Sequence, residues 1–320
     1  MKMIQFVKDS FEFIPQKSGL DGAYAMAELA ARTCYKSENY IKEGSAHKIV
    51  DEICIKNGHT SIAEFATIYL KVKIWNVHMI RKYIDDRYSR VRIHNTYAYI
   101  TTTLRTIIQG DYEDPIESIE KHYDKNWGDD LKYICNEPEL YHYKRYCYRF
   151  ECDRVGSQSF MRHRGIYGIS YAQESTRYCN YNGKKFGGVI KIGLPSKFYE
   201  LIDKWSKTDD GSEKDYSYIT DFTLEQQLDF LYKNDLSWKL YVDGLNNDAD
   251  IYINLINSGW KPEDARGKLP LDLNTTFMMC AYLEDWKMWL YRRDDSHAHP
   301  HIQKIARGIK NDMKRRGILK

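Results

Sequence analysis

Arginine, histidine and hydroxyl side chains are concentrated in one short stretch of the chain, RHRGIYGISYAQESTRYCNY. Arg162, His163 and Arg164 open this stretch, and Ser175 and Arg177 follow near its end. Guanidinium groups bind phosphate or carbonyl oxygens through two parallel hydrogen bonds, whereas lysine offers only a point charge. The stretch has low helix and strand propensity. We therefore interpret it as an anion-binding loop, with a solvated surface loop as the alternative.

A second polar segment, GHTSIAE, begins at Gly58 and contains His59, Ser61 and Glu64. Free backbone N–H groups at the start of a helix favour anions. Ser61 followed three residues later by Glu64 also fits a capping box. From these residues alone, capping is the favoured interpretation.

The C-terminal part of the chain carries Arg266, Arg293 and an H-x-H-x-H pattern at His297, His299 and His301. Alternating histidines share one face on a strand, but the intervening proline and the helical pattern after it predict a helix N-terminus, where they splay apart. We therefore predict no metal site. The chain also lacks the glycine-rich phosphate-binding motifs and the G-x-S-x-G hydrolase motif.

Composition narrows the possible partners. The chain has 320 residues, 42% of them hydrophobic, and a net charge of only +3, which speaks against general binding to nucleic acid or membranes. No apolar run approaches the length of a membrane span, and the N-terminal residues do not resemble a signal peptide, so we expect a cytoplasmic protein. The seven cysteines are scattered without a C-x-x-C pair and are interpreted as reduced, structural thiols.

The elements that must position these groups alternate without a regular βαβ rhythm, which predicts an α+β fold. Hydrophobic periodicity predicts helices over 20–36, 44–59, 116–123, 284–293 and 299–316, and much helix within 196–262. A further short helix is predicted up to residue 164, with Gly156 or Ser157 at its start. Alternation and β-branched residues predict strands over 65–75, 95–108, 143–154, 184–195 and 269–283, the first two as antiparallel partners.

Four segments, in the same order, resemble the motifs of flavin-dependent thymidylate synthases, the thymidylate synthase complementing protein family. RHR followed by S-x-x-Q-E-S-T-R-Y-C-N-Y is similar to the family signature, and GHTSIAE is similar to its flavin segment. ARGKLP and RRDDSHAH are similar to its two C-terminal motifs, which place Arg266 and Arg293 at the spacing of the family's paired substrate arginines.

This resemblance implies a twisted, mainly antiparallel sheet flanked by helices, with insertions. It also implies conversion of dUMP to dTMP, with methylenetetrahydrofolate as carbon donor, FAD as hydride carrier and NADPH as reductant. The family does not require a cysteine nucleophile, and the cofactor supplies the difficult chemistry. Members are homotetramers whose active sites are shared between subunits.

The resemblance also implies roles for individual residues. Substrate binding is expected from Gln158, Arg162, Ser175, Arg177, Arg266 and Arg293, of which Ser175, Arg177 and Arg293 are also expected to be catalytic. Flavin binding is expected from Arg162, His163 and Arg164, and from His59, Ser61 and Glu64 of another subunit. His297 lies where some members carry a histidine near the active site.

The chain departs from the family pattern at several points. The family usually has seven residues between RHR and the substrate serine, whereas Gly165–Glu174 spans ten. Phe65 replaces a frequent histidine, and Tyr282, Glu284 and Met288 stand where members commonly place flavin-contacting Asn and Arg. We expect a single catalytic domain over 1–320, with inserted subregions over about 76–155 and 196–262.

Three alternatives stay open from the sequence. The chain could be a related flavin- and folate-dependent enzyme that modifies another pyrimidine nucleotide. It could instead be a catalytically silent homologue that binds nucleotide or flavin. An RNA-binding protein that uses its Arg and Tyr residues is the third, although the weak net charge speaks against it.

Overall fold

A computed structural model describes residues 3–75, 77–110, 131–134, 138–162, 168–183, 185–207 and 217–320. The strands are β1 (Ile4–Val7), β2 (Ser10–Ile14), β3 (Thr67–Lys73), β4 (Arg90–His94), β5 (Tyr97–Thr103), β6 (Leu131–Ile134), β7 (Arg145–Asp153), β8 (Ser170–Gln173), β9 (Ile190–Gly193) and β10 (Asn274–Tyr282). The α-helices are α1 (Gly19–Tyr35), α2 (Ser45–Ile49), α3 (Val77–Ile84), α4 (Leu104–Ile108), α5 (Arg154–Met161), α6 (Ser196–Ser206), α7 (Leu224–Asn234), α8 (Leu236–Asn257), α9 (Pro262–Ala265), α10 (Leu283–Arg293) and α11 (Pro300–Arg315).

The central sheet has the strand order β2-β7-β10-β8, and all its neighbours are antiparallel. Phe277 of β10 lies opposite Phe150 of β7 on one side and Gln173 of β8 on the other. Every residue of β10 is buried. A strand buried on both faces must be covered by two layers, so this sheet organises the protein.

One face of the central sheet packs against α1 and the segment that follows it. Ala172, Met278 and Cys280 point into this core, together with the apolar side of α1 and residues of β3. After α2 the chain forms one π-helical stretch, Val50–Lys56, and then a 3-10 helix, Thr60–Phe65. GHTSIAE therefore lies on this face.

The opposite face packs against α5, α10 and α11. Phe277, Met279 and Ala281 point into a core that includes Phe160 of α5 and Trp289 of α10. Phe160 stacks on Trp289 with ring centroids 4.6 Å apart. The three helices that carry Gln158, Arg293 and the terminal histidines thus share one layer.

Two further sheets complete the described fold. The second antiparallel sheet has the order β4-β5-β3-β6, and the predicted pairing of β3 with β5 is confirmed. β1 and β9 form a short parallel pair. The mixed α+β class is confirmed, but the antiparallel strands are divided between two four-stranded sheets rather than joined in one.

Several element boundaries differ from the sequence prediction for local reasons. The strand predicted over 95–108 ends at Thr103, because the Leu104 amide donates to the Ala66 carbonyl and the chain turns into α4. Gly44, at φ +74°, occupies the N-cap of α2 rather than the predicted Ser45. α5 begins two or three residues earlier than predicted, since the Asp153 side chain accepts from the Gly156 amide. The helix predicted over 116–123 lies outside the described residues.

The predicted helices over 20–36, 284–293 and 299–316 are confirmed with small shifts of their ends. The segment 196–262 is mostly helical where it is described, as predicted. None of the helices in the described part of the chain is long and apolar enough to cross a bilayer.

Candidate active site

Arg293, the last residue of α10, has its guanidinium partly fixed and partly free. Its Nη2 donates to the Ser159 carbonyl at 2.7 Å, and its buried Nε has no hydrogen-bond acceptor among the described residues. Burial and the neighbouring Arg162 and Arg292 lower the pKa of Arg293, while Tyr171 acts in the opposite direction. An oriented cation with an unused donor is suited to an oxyanion or a carbonyl oxygen.

Arg162 lies close enough to this guanidinium to act on its pKa, and Gln158, one turn earlier, shares the exposed side of α5 with Arg162. Phe160 is fully buried on the opposite side of the helix, against Trp289. Gln158 and Arg162 are both exposed, and the Arg162 amide donates to the Gln158 carbonyl at 3.0 Å. The structure therefore brings together Gln158, Arg162 and Arg293, here called the arginine patch.

The loop after β8 holds Ser175 and Arg177. The Ser175 amide donates to the Cys34 carbonyl at 2.9 Å, which ties the loop to the end of α1. Arg177 is exposed, and its Nε lies 3.7 Å from Oε2 of Glu263 in α9. Arg266 begins the 3-10 turn directly after α9 and is also exposed. Arg177 and Arg266 are thereby placed on neighbouring segments.

Helix α5 connects this loop region with the arginine patch. At its N-terminus the Arg154 amide donates to the Leu273 carbonyl at 3.1 Å, and Arg154 Nη1 lies 3.5 Å from the Glu174 carbonyl. At its other end lie Arg162 and the contact with Arg293. Eight helical residues span about 12 Å, a length comparable with a nucleotide.

The residue that fixes the loop after β8 is Glu174, which is 2% exposed. Its carboxylate accepts from the Tyr181 hydroxyl at 2.7 Å and from the Thr276 amide at 3.2 Å, and it lies 3.3 Å from Nζ of Lys36. No local pattern in the sequence points to Lys36 or Tyr35 as part of this region. The Tyr35 ring packs beside that of Tyr178, with centroids 5.1 Å apart, at the edge of this loop. The long separation in sequence leaves no local signal for these contacts.

In GHTSIAE, Glu64 differs from His59 and Ser61 in the exposure of its side chain. His59 and Ser61 are exposed, whereas Glu64 is 8% exposed. The Glu64 carboxylate accepts from the Tyr88 hydroxyl at 2.9 Å and forms an ion pair with Arg105. No side chain caps the 3-10 helix Thr60–Phe65, so the predicted capping box is wrong.

The arginine patch and GHTSIAE lie on opposite faces of the central sheet. The arginine patch stands on α5 and α10, which pack on the face of Phe277 and Met279. The Glu64 carbonyl accepts from the Ser170 hydroxyl at 3.4 Å and from Arg145 at 2.8 Å, on the other face. Among the described residues, the two groups thus belong to layers on opposite sides of the central sheet.

The positions that depart from the family pattern have structural uses. Phe65 is fully buried in the core beside α1. Tyr282 is buried, and its hydroxyl lies 2.7 Å from the Tyr88 carbonyl and 2.9 Å from that of Thr101, joining the two large sheets. Glu284 lies 3.6 Å from Arg90, and Met288 is exposed on α10. His163, Arg164 and the lengthened part of the loop at 165–167 lie outside the described residues.

The described cysteines are poor nucleophiles. Burial raises the pKa of Cys34 to about 11 and those of Cys54 and Cys179 to about 12. A hydrogen bond from Cys147 lowers the pKa of Cys280 to about 7, but Cys280 is only 2% exposed in the middle of β10. Cys135 lies outside the described residues. A substrate on the surface could not reach the buried Cys280 sulfur.

The terminal histidines do not converge. His299 forms the N-cap of α11, and α11 begins at Pro300, so the predicted helix N-terminus is confirmed. His297 is exposed beside Asp295, whereas His301 is buried. Within the described ranges, no cluster of three or more His, Cys, Asp or Glu residues could hold a metal ion.

A cavity of about 580 Å³ lies away from the arginines, between β1 and the helices α7 and α8. Its floor is apolar and includes Phe6, Leu228 and Trp238, and Glu225 and Asp229 also line it. Carboxylates would repel a nucleotide phosphate. The exposed arginines are therefore the better candidate site, although they occupy an open surface.

A comparison with known proteins matches the part of the chain that carries the exposed arginines. No curated protein matches the chain significantly. The sequence model described as "Thymidylate synthase complementing protein" matches residues 141–316, which include Gln158, Arg162, Ser175, Arg177, Arg266 and Arg293. GHTSIAE lies outside the matched range. Because the match covers more than half of the chain, the protein belongs to the thymidylate synthase complementing protein family, the flavin-dependent thymidylate synthases.

Proposed function

We propose that this protein converts dUMP to dTMP, with methylenetetrahydrofolate as carbon donor, FAD as hydride carrier and NADPH as reductant. The observation that carries the proposal is the Arg293 guanidinium, which is anchored at Nη2, unpaired at its buried Nε and placed beside Arg162. Such a group can polarise a uracil carbonyl while its direction is fixed by the protein.

The substrate would extend along α5. Arg293 and Arg162, with Gln158 next to them, would hold the pyrimidine end, and Arg266 would help to orient it. Ser175 and Arg177 would bind the nucleotide from the loop after β8. Charge-assisted hydrogen bonds from several arginines suit a dianionic monophosphate, and the exposure of Arg162, Arg177 and Arg266 leaves their donors available.

Flavin would be held by Arg162, His163 and Arg164 from one chain and by the GHTSIAE residues His59 and Ser61 from another. The exposure of Arg162, His59 and Ser61 is compatible with this role. Glu64 already accepts from Tyr88 and Arg105, so we assign it to the support of its segment rather than to direct contact with flavin. When bound, FAD would supply the hydride that the protein's own groups cannot supply.

We also propose a homotetramer with shared active sites, and the separation of the two residue groups supports this proposal. Since GHTSIAE and the arginine patch lie on opposite faces of one sheet, a second copy would have to supply one of them. We also propose that residues 1–320 form a single catalytic domain with inserted subregions. The buried thiols support a reaction without a cysteine nucleophile.

The test is release of tritium from dUMP labelled at C5, together with the absorption spectrum of the purified protein. We expect a flavin spectrum and tritium release that requires both methylenetetrahydrofolate and NADPH. Bound flavin without turnover of dUMP would instead indicate a silent homologue. Turnover of a different pyrimidine nucleotide would indicate the related enzyme, and a chain that binds no flavin under any condition would contradict the proposal.

A further inference from the structure

His301 links two carboxylates that come from distant parts of the chain. Its Nε2 lies 2.6 Å from Asp9 Oδ2, and its Nδ1 lies 3.1 Å from Asp153 Oδ2. The residue is 9% exposed. Both ring nitrogens face carboxylate oxygens, so the doubly protonated imidazolium satisfies both contacts at once. The group is therefore a buried cation held between two anions.

The Asp153 carboxylate also determines where α5 begins. Its Oδ1 accepts from the Gly156 amide, and Asp153 is the N-cap of the helix. The packing around this cap is close, because a Cβ at Gly156 would lie 3.2 Å from Asp153 Oδ1 and 3.3 Å from Cε1 of His301. A change at His301 would therefore be transmitted directly to the first turn of α5.

The other end of α5 is held by Arg293, whose Nη2 donates to the Ser159 carbonyl. Arg293 ends α10, and His301 lies in the first turn of the next helix, α11. Two consecutive helices thus hold the two ends of α5. Gln158 lies between these attachments, and Arg162 follows the second one at the C-cap of the helix.

We propose that His301 is a positioning residue for nucleotide binding. The His301–Asp153 contact fixes the direction of α5, and through α5 it fixes Gln158, Arg162 and the carbonyl that orients Arg293. This inference rests on the proposed function of the arginine patch. His301 itself does not touch the nucleotide in this arrangement.

Helix α11 contains a matched control at its opposite end. Asp312 is 5% exposed and accepts from the Tyr148 hydroxyl at 2.9 Å and from Arg316 at 2.7 Å. It is about as buried as His301 and carries a charge of opposite sign, and its hydrogen bonds join it to Tyr148 of β7 and to Arg315 and Arg316 rather than to α5. Asp312→Asn therefore reports the general loss of a buried charge network on the same helix.

The experiment compares His301→Gln with Asp312→Asn. We expect both variants to melt at a lower temperature, but only His301→Gln to raise the KM for dUMP, by roughly tenfold with a smaller change in kcat, because misplaced binding groups weaken ground-state contacts. Asp9→Asn, which removes one acceptor and leaves the Asp153 cap in place, provides a milder variant if His301→Gln does not fold. An equal change of KM in the His301 and Asp312 variants, or an unchanged KM in His301→Gln, would overturn the proposal.

Hydrogen exchange separates this inference from the proposed function. If the wild-type protein neither binds nor converts dUMP, the proposed function fails, but the amides of residues 157–162 still report the order of α5. Faster exchange there in His301→Gln than in Asp312→Asn would support the positioning role. Identical exchange in both variants would contradict it.

Discussion

The arginine patch and GHTSIAE both carry motif residues, but the fold uses the two in opposite ways. Arg293 has one donor bound to the Ser159 carbonyl and another without an acceptor, and Arg162 beside it is exposed. Glu64 is buried, and its carboxylate already accepts from Tyr88 and Arg105. A motif residue can thus keep a hydrogen-bonding group available for a ligand, or have its groups paired within the protein. The contacts of the side chain distinguish the two cases.

The largest effect is expected from Arg293→Ala, which removes the guanidinium whose Nε is available to a ligand. A charge-assisted hydrogen bond contributes about 1.5 to 3 kcal/mol, and a misplaced substrate loses more, so turnover of dUMP should fall by at least about a hundredfold. Flavin should stay bound, because the inferred partner of Arg293 is the pyrimidine. Tritium release and the flavin absorption spectrum measure the two effects in the same sample.

Arg292→Ala is the matched control for that variant. Arg292 is the neighbouring arginine on α10 and is exposed. We expect its replacement to leave turnover within about twofold of the wild-type value, since single surface substitutions rarely have larger effects. Loss of flavin with retained turnover in Arg293→Ala would reverse the assignment.

Glu64→Gln tests whether the buried Glu64 carboxylate stabilises the fold rather than binding a ligand. The substitution keeps the shape of the side chain but leaves the partly buried Arg105 guanidinium without its carboxylate. We expect the free energy of unfolding to fall by about 1 to 3 kcal/mol, because an unpaired buried charge is costly. Urea denaturation provides the measurement.

A double-mutant cycle with Arg105→Gln decides whether the loss comes from this pair. The pair is intact only in the wild type, so the two single losses should exceed the loss in the double variant when added together. Ser61→Ala, at an exposed position of the same 3-10 helix, should leave stability unchanged. If Glu64→Gln were as stable as the wild type but lost flavin, Glu64 would belong with the ligand-binding residues.

Local patterns predicted much of the fold but not the placement of the motifs. Helical periodicity located α1, α10 and α11, and alternation located β3, β7 and β10, because each of these elements buries one side or both. The end of β5 at Thr103 could not be predicted in this way, since it depends on a hydrogen bond from Leu104 to Ala66, which lies just before β3.

The same limit applies to the candidate site. The residue types of Arg162, Ser175 and Arg177 predicted an anion-binding loop, and the family resemblance added Arg266 and Arg293 as substrate arginines. The hydrogen bond from Ser175 to Cys34 and the ion pair between Glu64 and Arg105 were not predictable. Both depend on contacts between segments far apart in sequence. Motif order identifies residue types, whereas long-range packing determines which donors stay free.

The arginine patch also depends on a buried charge whose titration can be measured. Burial acts to lower the pKa of His301, but hydrogen bonds to Asp153 and Asp9 raise it from 6.5 to about 10. Other titratable groups close to this pair are Asp272, His299, Cys152 and Tyr241. Since the folded pKa lies above the unfolded one, the stabilisation is complete below about pH 6.5 and is lost as the pH rises towards 10.

The measurement is the difference in unfolding free energy between the wild type and His301→Gln across this pH range. The difference should shrink by up to about 1.4 kcal/mol per pH unit as the pH rises from 6.5. The lowered pKa of Asp153 affects only the acid side, where its stabilisation is lost as the pH falls below its ordinary value of 3.8. Parallel curves from pH 6.5 to 10 would show that His301 is not held as a cation.

The smallest effect is expected at the ion pair between Arg177 and Glu263, because both side chains are exposed and their interaction is weak. Their side chains are 53% and 40% exposed and lie 3.7 Å apart, and such surface pairs contribute about 0 to 1 kcal/mol. Glu263→Gln should therefore tighten dUMP binding by less than about fivefold, measured by calorimetry. Asp264→Asn removes a neighbouring exposed charge and is the control. An equal gain in dUMP affinity in both variants would mean that the general negative charge of this segment, and not the pairing of Arg177, limits binding. A gain confined to Glu263→Gln would mean that the fold partly restrains even the exposed arginines of the site.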